Sequence, residues 1–186
     1  MPLILASSSP RRSELLRAAE IPFTVQAADI NEDLKPNESA RNYTERLACE
    51  KAETIWKKSP DSFVLGADTT VVVDEHILAK PLDAADARRM LRLISGRAHQ
   101  VITGVCLLGP NVRDIRSETT DVVFHPIPDQ EIEFYIEHGE PMDRAGAYAI
   151  QGIASRWIRR IEGCYFNVVG LPVPLVYLML KAHRVV

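Results

Sequence analysis

The chain has 186 residues, 46% hydrophobic and 25% charged, with a formal net charge of -3. That balance excludes a disordered chain, and the length suffices for a buried core without disulfides or a structural metal. The mildly acidic total excludes a global positive field for a nucleic-acid polymer, although arginines cluster locally at Arg11, Arg12 and Arg17 and at Arg156, Arg159 and Arg160.

Residues 1–6 are apolar, lack a basic leader and run straight into polar residues, which fits neither a signal peptide nor a membrane span. Residues 3–6 are predicted as a buried first strand. Ser7, Ser8 and Ser9 break it, Ser9 is placed as an N-cap, and Pro10 opens a helix that turns Leu15, Leu16 and Ala19 inward. Residues 23–26 alternate like a strand, and a polar loop follows over 29–38. Ser39 caps a long helix to about Lys57, with Tyr43, Leu47 and Ile55 on its apolar stripe. Residues 63–68 read as a buried strand ending on a carboxylate, and 70–78 as a hairpin turning at Asp74 and Glu75. Asp83 caps a helix over Ala87, Leu91 and Ile94, stopped by Ser95 and Gly96. The arginines of that helix, Arg88, Arg89 and Arg92, read as a solvated face.

Two long β runs come next, over 99–108 and 118–125, and then a helix over 128–138 ended by Gly139. A small-residue loop spans 145–152, a strand 156–162, and a closing apolar helix 171–182 that begins with two prolines. Helices and strands alternate early and hairpins enter in the middle, which predicts an α/β fold with a mixed twisted sheet and flanking helices. A single domain over 1–186 is expected, with two lobes whose boundaries no linker marks.

Chemistry concentrates at a few places. In Ser7-Ser8-Ser9-Pro10-Arg11-Arg12, a helix N-terminus offers free amides and a partial positive charge, serines add hydroxyls, and two arginines add forked donors. Two readings fit that segment equally, a phosphate cradle and an ordinary cap followed by solvated arginines. Gly66-Ala67-Asp68-Thr69 places a carboxylate where α/β proteins bind ligands, able to hold a hard cation or take a proton, or simply to form a turn. Glu32, Lys51 and Lys80 are isolated charges, each readable as plain surface; Pro81 restricts Lys80 to extended backbone. The loop at 145–152 permits close backbone approach, to a flat base or to its own core. His99 stands without a second metal-type ligand at suitable spacing and reads as structural. Cys49, Cys106 and Cys164 form no CxxC pair and no zinc-like group, which predicts reduced thiols, with Cys106 a small core residue.

Taken in order, Leu5 to Arg12, Glu32, Leu47 to Ala52, Gly66 to Thr69, Lys80-Pro81, Ser95 to Val101, Gly146 to Gly152 and Val169 to Pro172 closely resemble the Maf, or septum formation inhibitor, family of nucleoside triphosphate pyrophosphatases. The resemblance implies a fold like that of the inosine triphosphate pyrophosphatases, with a cleft between two α/β lobes. It implies cleavage between the α- and β-phosphates with a divalent cation, magnesium or manganese. Arg11, Thr69 and Gln151 match the subgroup acting on dTTP and UTP.

The roles so implied are Asp68 as general base or metal holder and Glu32 as metal ligand. Lys51 and Lys80 would stabilise the leaving pyrophosphate. Ser7 and Arg12 would hold phosphate, and Arg11, Thr69 and Gln151 would set base choice. A glutamine amide matches part of the acceptor–donor–acceptor edge of uracil or thymine. The resemblance further implies a homodimer with a nucleoside triphosphate substrate, standard or modified; the scattered cysteines predict a cytoplasmic protein, and the charge balance and first residues predict no nucleic-acid polymer and no membrane as partner. The alternatives are a nucleotide-binding regulator of cell division with little catalysis and a pyrophosphatase for modified purine nucleotides.

Overall fold

The structure, a computed structural model, describes residues 1–186. Seven strands form one mixed sheet: β1 (Leu3–Leu5), β2 (Thr24–Val25), β3 (Phe63–Val73), β4 (His76–Leu78), β5 (Ala98–Gly109), β6 (Val112–Phe124) and β7 (Ile158–Glu162). Their order is β2-β1-β3-β5-β6-β7, with β4 paired to β3 off that path. Six α-helices accompany them: α1 (Pro10–Ala18), α2 (Ala40–Trp56), α3 (Ala84–Ile94), α4 (Asp129–Glu137), α5 (Tyr165–Val169) and α6 (Val173–Ala182). The α/β class and the mixed sheet are as the sequence predicts. No helix is long and apolar enough to cross a membrane.

Two compact units divide the chain. The first comprises Met1–Thr69, Thr103–Glu118 and Gly170–Val186. In it β1 pairs in parallel with β2 and with β3, Leu5 standing beside Val25 and Leu65. Parallel neighbours need crossovers, and α1 and α2 supply them. One face of the sheet carries a core of Ile4, Ala6, Val64, Cys106 and Leu108 against Ala48, Cys49, Ala52 and Ile55 of α2. The small residues matter here. A Cβ on Gly66 would land on the Ala48 carbonyl, and one on Gly104 would land on the backbone of Thr44 and Glu45. Helix and sheet therefore meet backbone to backbone, which only glycine permits.

The second unit comprises Thr70–Ile102 and Thr119–Val169. β3 and β4 form the expected hairpin, with Val71 opposite Leu78 and Asp74 at positive φ in the turn. β7 runs antiparallel to β6 with an irregularity at Val123 and Phe124. Leu91, Ile94, Val122, Phe124, Tyr135 and Trp157 fill its core. The arginines of α3 are not merely solvated: Arg88 pairs with Glu133, and Arg92 Nε lies 3.0 Å from Asp129, so two of them tie α3 to α4. His99 is buried, as a structural histidine should be. Its Nε2 lies 2.8 Å from the Tyr148 hydroxyl, edge-on to Phe124, and burial depresses it to a pKa of about 4.

Several expectations need correction. β3 does not end at Asp68 but continues to Val73, because Thr69 to Val73 are β-formers that keep pairing, with β4 from Val71 on. β6 begins at Val112 rather than 118, since Asn111 adopts positive φ and turns the chain straight back from β5. Ser9 has the extended backbone of an N-cap, yet its side chain caps nothing. Ala19 is exposed, β2 shrinks to two residues, and α5 stands in a stretch between the last strand and the closing helix for which no element was predicted.

Candidate active site

Helix α2 is the principal support. Ser39 caps it, accepting from the Asn42 amide, and Tyr43, Leu47, Lys51 and Ile55 recur every four residues on its buried stripe. Lys51 is therefore an ammonium at a core position, and a buried charge requires partners. It has two: its Nζ lies 2.6 Å from Asp68 Oδ1 and 2.7 Å from Glu32 Oε1. The Asp68 and Lys51 side chains are nearly buried, at 11% and 10% exposure, whereas Glu32 is half open at 51%.

Asp68 is delivered by β3 at the last residues the first unit takes from that strand. Burial pushes its carboxyl above the usual carboxylate range, while Lys51 and Arg12 pull in the opposite direction. Its cations favour the ionised form against the burial, and the raised carboxyl is a stronger base than a solvated aspartate. Glu32 comes from a loop without regular structure, held from below by Tyr43, whose hydroxyl donates to the Glu32 carbonyl at 2.8 Å. Burial raises the Tyr43 phenol to about 12, so it remains a donor. Arg46 fastens the same loop, donating to Glu38 at 2.6 Å and 2.8 Å and to the Asp33 carbonyl at 3.0 Å.

The segment between β1 and α1 is not an ordinary cap followed by two solvated arginines. Arg12 is buried and points inward. Its Nε donates to the Gly170 carbonyl at 2.8 Å, and Nη1 donates to the Ala67 carbonyl at 2.8 Å and to Ser7 Oγ at 3.2 Å. Nη2 donates to Thr69 Oγ1 at 3.1 Å. Four of the five guanidinium donors are thus engaged within the protein. Arg12 is a clamp joining α1, β3 and the turn before α6, with one Nη2 proton and its charge left over. Burial lowers its pKa, and the charge that chiefly resists this is Asp68. Ser7 accepts from both Arg12 and the Ser9 amide and retains its hydroxyl proton. Thr69 is drawn into the same knot through Thr103 at 2.9 Å and Gly170 at 3.3 Å. Arg11 sits half-buried in the first turn of α1.

The structure thus brings Ser7, Arg12, Glu32, Lys51, Asp68 and Thr69 together in the first unit. Lys80 and Gln151 belong to the second. Lys80 is exposed and pairs with Asp143 at 2.9 Å. Gln151 is exposed on a tightly anchored loop: Glu140 accepts from Tyr135 at 2.8 Å and from the Ile153 amide at 3.2 Å, and the Ala149 amide donates to Tyr135. Gly146, at φ 66°, lies where a Cβ would strike Val71. That small-residue loop is therefore packed against its own core, with Tyr148 buried and Gln151 exposed.

Tyr43, Thr103 and Gly170 were missed by sequence reasoning as parts of this site. Tyr43 was legible as core but not as the support of Glu32. Thr103 and Gly170 contribute a hydroxyl and a carbonyl from distant chain positions, for which no local pattern exists. One signal was present for Lys51: a charge on a four-residue apolar stripe.

A divalent cation can be tested against this donor set. Asp68 and Glu32 offer hard carboxylate oxygens that share one ammonium, and no third histidine, cysteine or carboxylate joins them. Two carboxylates suit a cation whose remaining positions are filled by water and substrate phosphate, not a cage built from protein alone.

The mixed α/β sheet presents a buried, base-strengthened carboxylate beside a lysine and a second acid, a set suited to hydrolytic chemistry. The chain belongs to the Maf-like protein family, whose model matches residues 2–183. A dTTP/UTP pyrophosphatase of Koribacter versatilis is 56% identical over 97% of this chain and 94% of its own length. The dTTP/UTP pyrophosphatases of Symbiobacterium thermophilum and Halalkalibacterium halodurans are 51% and 46% identical, over 91% and 98% of this chain and 88% and 96% of their own. Among solved structures, the Staphylococcus aureus Ham1 protein superposes with a TM-score of 0.45 at 12% identity, over 67% of this chain and 72% of that one.

Proposed function

We propose that the protein is a nucleoside triphosphate pyrophosphatase that hydrolyses dTTP and UTP to the monophosphate and pyrophosphate. The observation that carries this reading is the Glu32–Lys51–Asp68 arrangement, a buried carboxylate of raised basicity held by a lysine at 2.6 Å. A protein that only bound nucleotides would gain nothing from a desolvated base. The names of the three relatives supply the substrate.

Asp68 takes the proton from the attacking water, and Lys51 keeps it ionised until it does. Lys51 also places positive charge where negative charge grows on the phosphate oxygens. Glu32 and Asp68 would hold a magnesium or manganese ion which, when bound, neutralises triphosphate charge and lowers the pKa of its water. Ser7 donates its remaining hydroxyl proton to phosphate, and the Arg12 charge adds field while its donors keep the site rigid. Thr69 acts chiefly through that knot. Roles for Lys80 at the pyrophosphate and for Arg11 and Gln151 in base choice rest on their sequence motifs.

The test is a panel of standard and methylated nucleoside triphosphates, assayed with and without magnesium and resolved by product. The expected result is dTMP and UMP with pyrophosphate, dependent on the cation. Release of orthophosphate and a diphosphate, or binding without turnover, would refute the proposal.

A further inference from the structure

Two thiols that stand 57 residues apart in sequence meet in the first unit. Glycine determines where. Gly104 of β5 lies under the backbone of Thr44 and Glu45 of α2. Four residues along a helix advance about 6 Å, and two residues along a strand advance about 6.6 Å while returning to the same face. Steps from Glu45 to Cys49 to Glu53 on α2 therefore keep pace with steps from Gly104 to Cys106 to Leu108 on β5. Cys49 and Cys106 both belong to the buried cluster between these elements, and each thiol shifts the ionisation of the other. The next step along the seam, Glu53 and Leu108, lines a cavity of about 500 Å³ together with Trp56, Lys57, Val112 and Arg113. The cavity therefore opens one step along the seam from the buried thiol pair, which does not itself line it.

We propose that Cys49 and Cys106 form an oxidisable dithiol, a modification site that a hydroperoxide closes to a disulfide across the α2–β5 seam. Cys49 is the attacking sulfur. The Cys106 thiol holds it below the usual thiol range, and Arg113, paired with Glu53 at 2.6 Å, adds positive charge nearby. Cys106 is pushed the other way by Cys49 and by burial, so it keeps its proton and serves as the resolving thiol. The Cys49 thiolate attacks one peroxide oxygen, the O–O bond breaks, and hydroxide leaves, becoming water with the thiol's proton. Cys106 sulfur then attacks the sulfenic sulfur, and a second water leaves with the S–S bond formed. Two thiols lose two electrons and two protons, and one hydroperoxide is reduced. Short side chains and direct backbone contact across the seam favour the narrow separation a disulfide needs. The bond would fix α2 two residues before Lys51.

The experiment uses the reduced full-length chain, exposed to a few equivalents of hydrogen peroxide, then alkylated and measured by intact mass and peptide mapping. The expected result is a mass loss of about 2 Da with a Cys49–Cys106 cross-linked peptide, reversed by dithiothreitol. In Cys106→Ser and Cys106→Ala the cross-link disappears and dimedone traps a sulfenic acid at Cys49. In Cys49→Ser, Cys106 remains unmodified. Circular dichroism establishes that each variant is folded. The inference is overturned if both thiols stay reduced while the half-exposed Cys164 oxidises, or if the cross-link joins Cys164 instead.

Discussion

Replacing Lys51 by methionine keeps the apolar stem and removes only the ammonium between Asp68 and Glu32. Glu32 is half solvated, so water takes over much of what it loses. Asp68 is nearly buried and has no such recourse. Breaking a buried pair from one side costs about 3–5 kcal/mol while the abandoned charge persists. Arg12 still faces Asp68, so about 3 kcal/mol is the better figure for Lys51→Met at pH 8. The penalty must depend on pH. Asp68 is already raised by burial, so its ionised form weakens the fold, and that weakening is absent at low pH and appears as pH climbs through the folded value. Removing Lys51 takes away a downward pull and lifts the carboxyl further. The variant's extra loss therefore builds up in the higher window and fades once Asp68 is protonated in both proteins. Urea unfolding at pH 5 and pH 8 measures it, with the larger difference expected at pH 8. A difference that is equal at both values, or zero at pH 8, would refute the reasoning.

His99 should govern acid stability: held neutral and depressed from 6.5 to about 4, it contributes stability that is present above pH 6.5 and lost as pH falls towards 4. The loss amounts to about 3 kcal/mol, and thermal melts of His99→Asn should show a flatter decline over that window. Gly104→Ala forces a Cβ into the α2 backbone, which cannot move aside as a side chain can, and should lower stability by about 2–3 kcal/mol; an unchanged urea midpoint would contradict the close contact. Arg12→Lys cannot span Gly170, Ala67, Ser7 and Thr69 with one ammonium, and should lower stability by about 2–4 kcal/mol in urea unfolding as well as reducing activity.

Much of the fold was legible because local chemistry determined it. Ser39 and Asp83 cap their helices with side-chain oxygens, Gly139 ends α4 at positive φ, and the α2 stripe is periodic. β3 was cut short in the sequence reading because Asp68 resembles a turn former. The β-formers after it keep the strand going, and its buried carboxylate is satisfied by Lys51, seventeen residues earlier in the chain. Arg12 was read as facing either phosphate or solvent, not the protein's own carbonyls. An arginine at a helix start is ordinarily solvated, and only the assembled carbonyls of Ala67 and Gly170 make the inward orientation favourable. The thiol pair was invisible for a third reason. Its contact depends on where two glycines let a helix settle, and no spacing in the sequence encodes that.

The central claim is that Asp68 is the base. The direct measurement is the rate of pyrophosphate release from saturating dTTP by Asp68→Asn, on protein whose urea midpoint shows that it is folded. Asparagine keeps the shape and cannot take the proton, so the rate should fall by about 10²–10⁴-fold with the fold intact. Turnover within a few-fold of the unaltered protein would contradict the assignment.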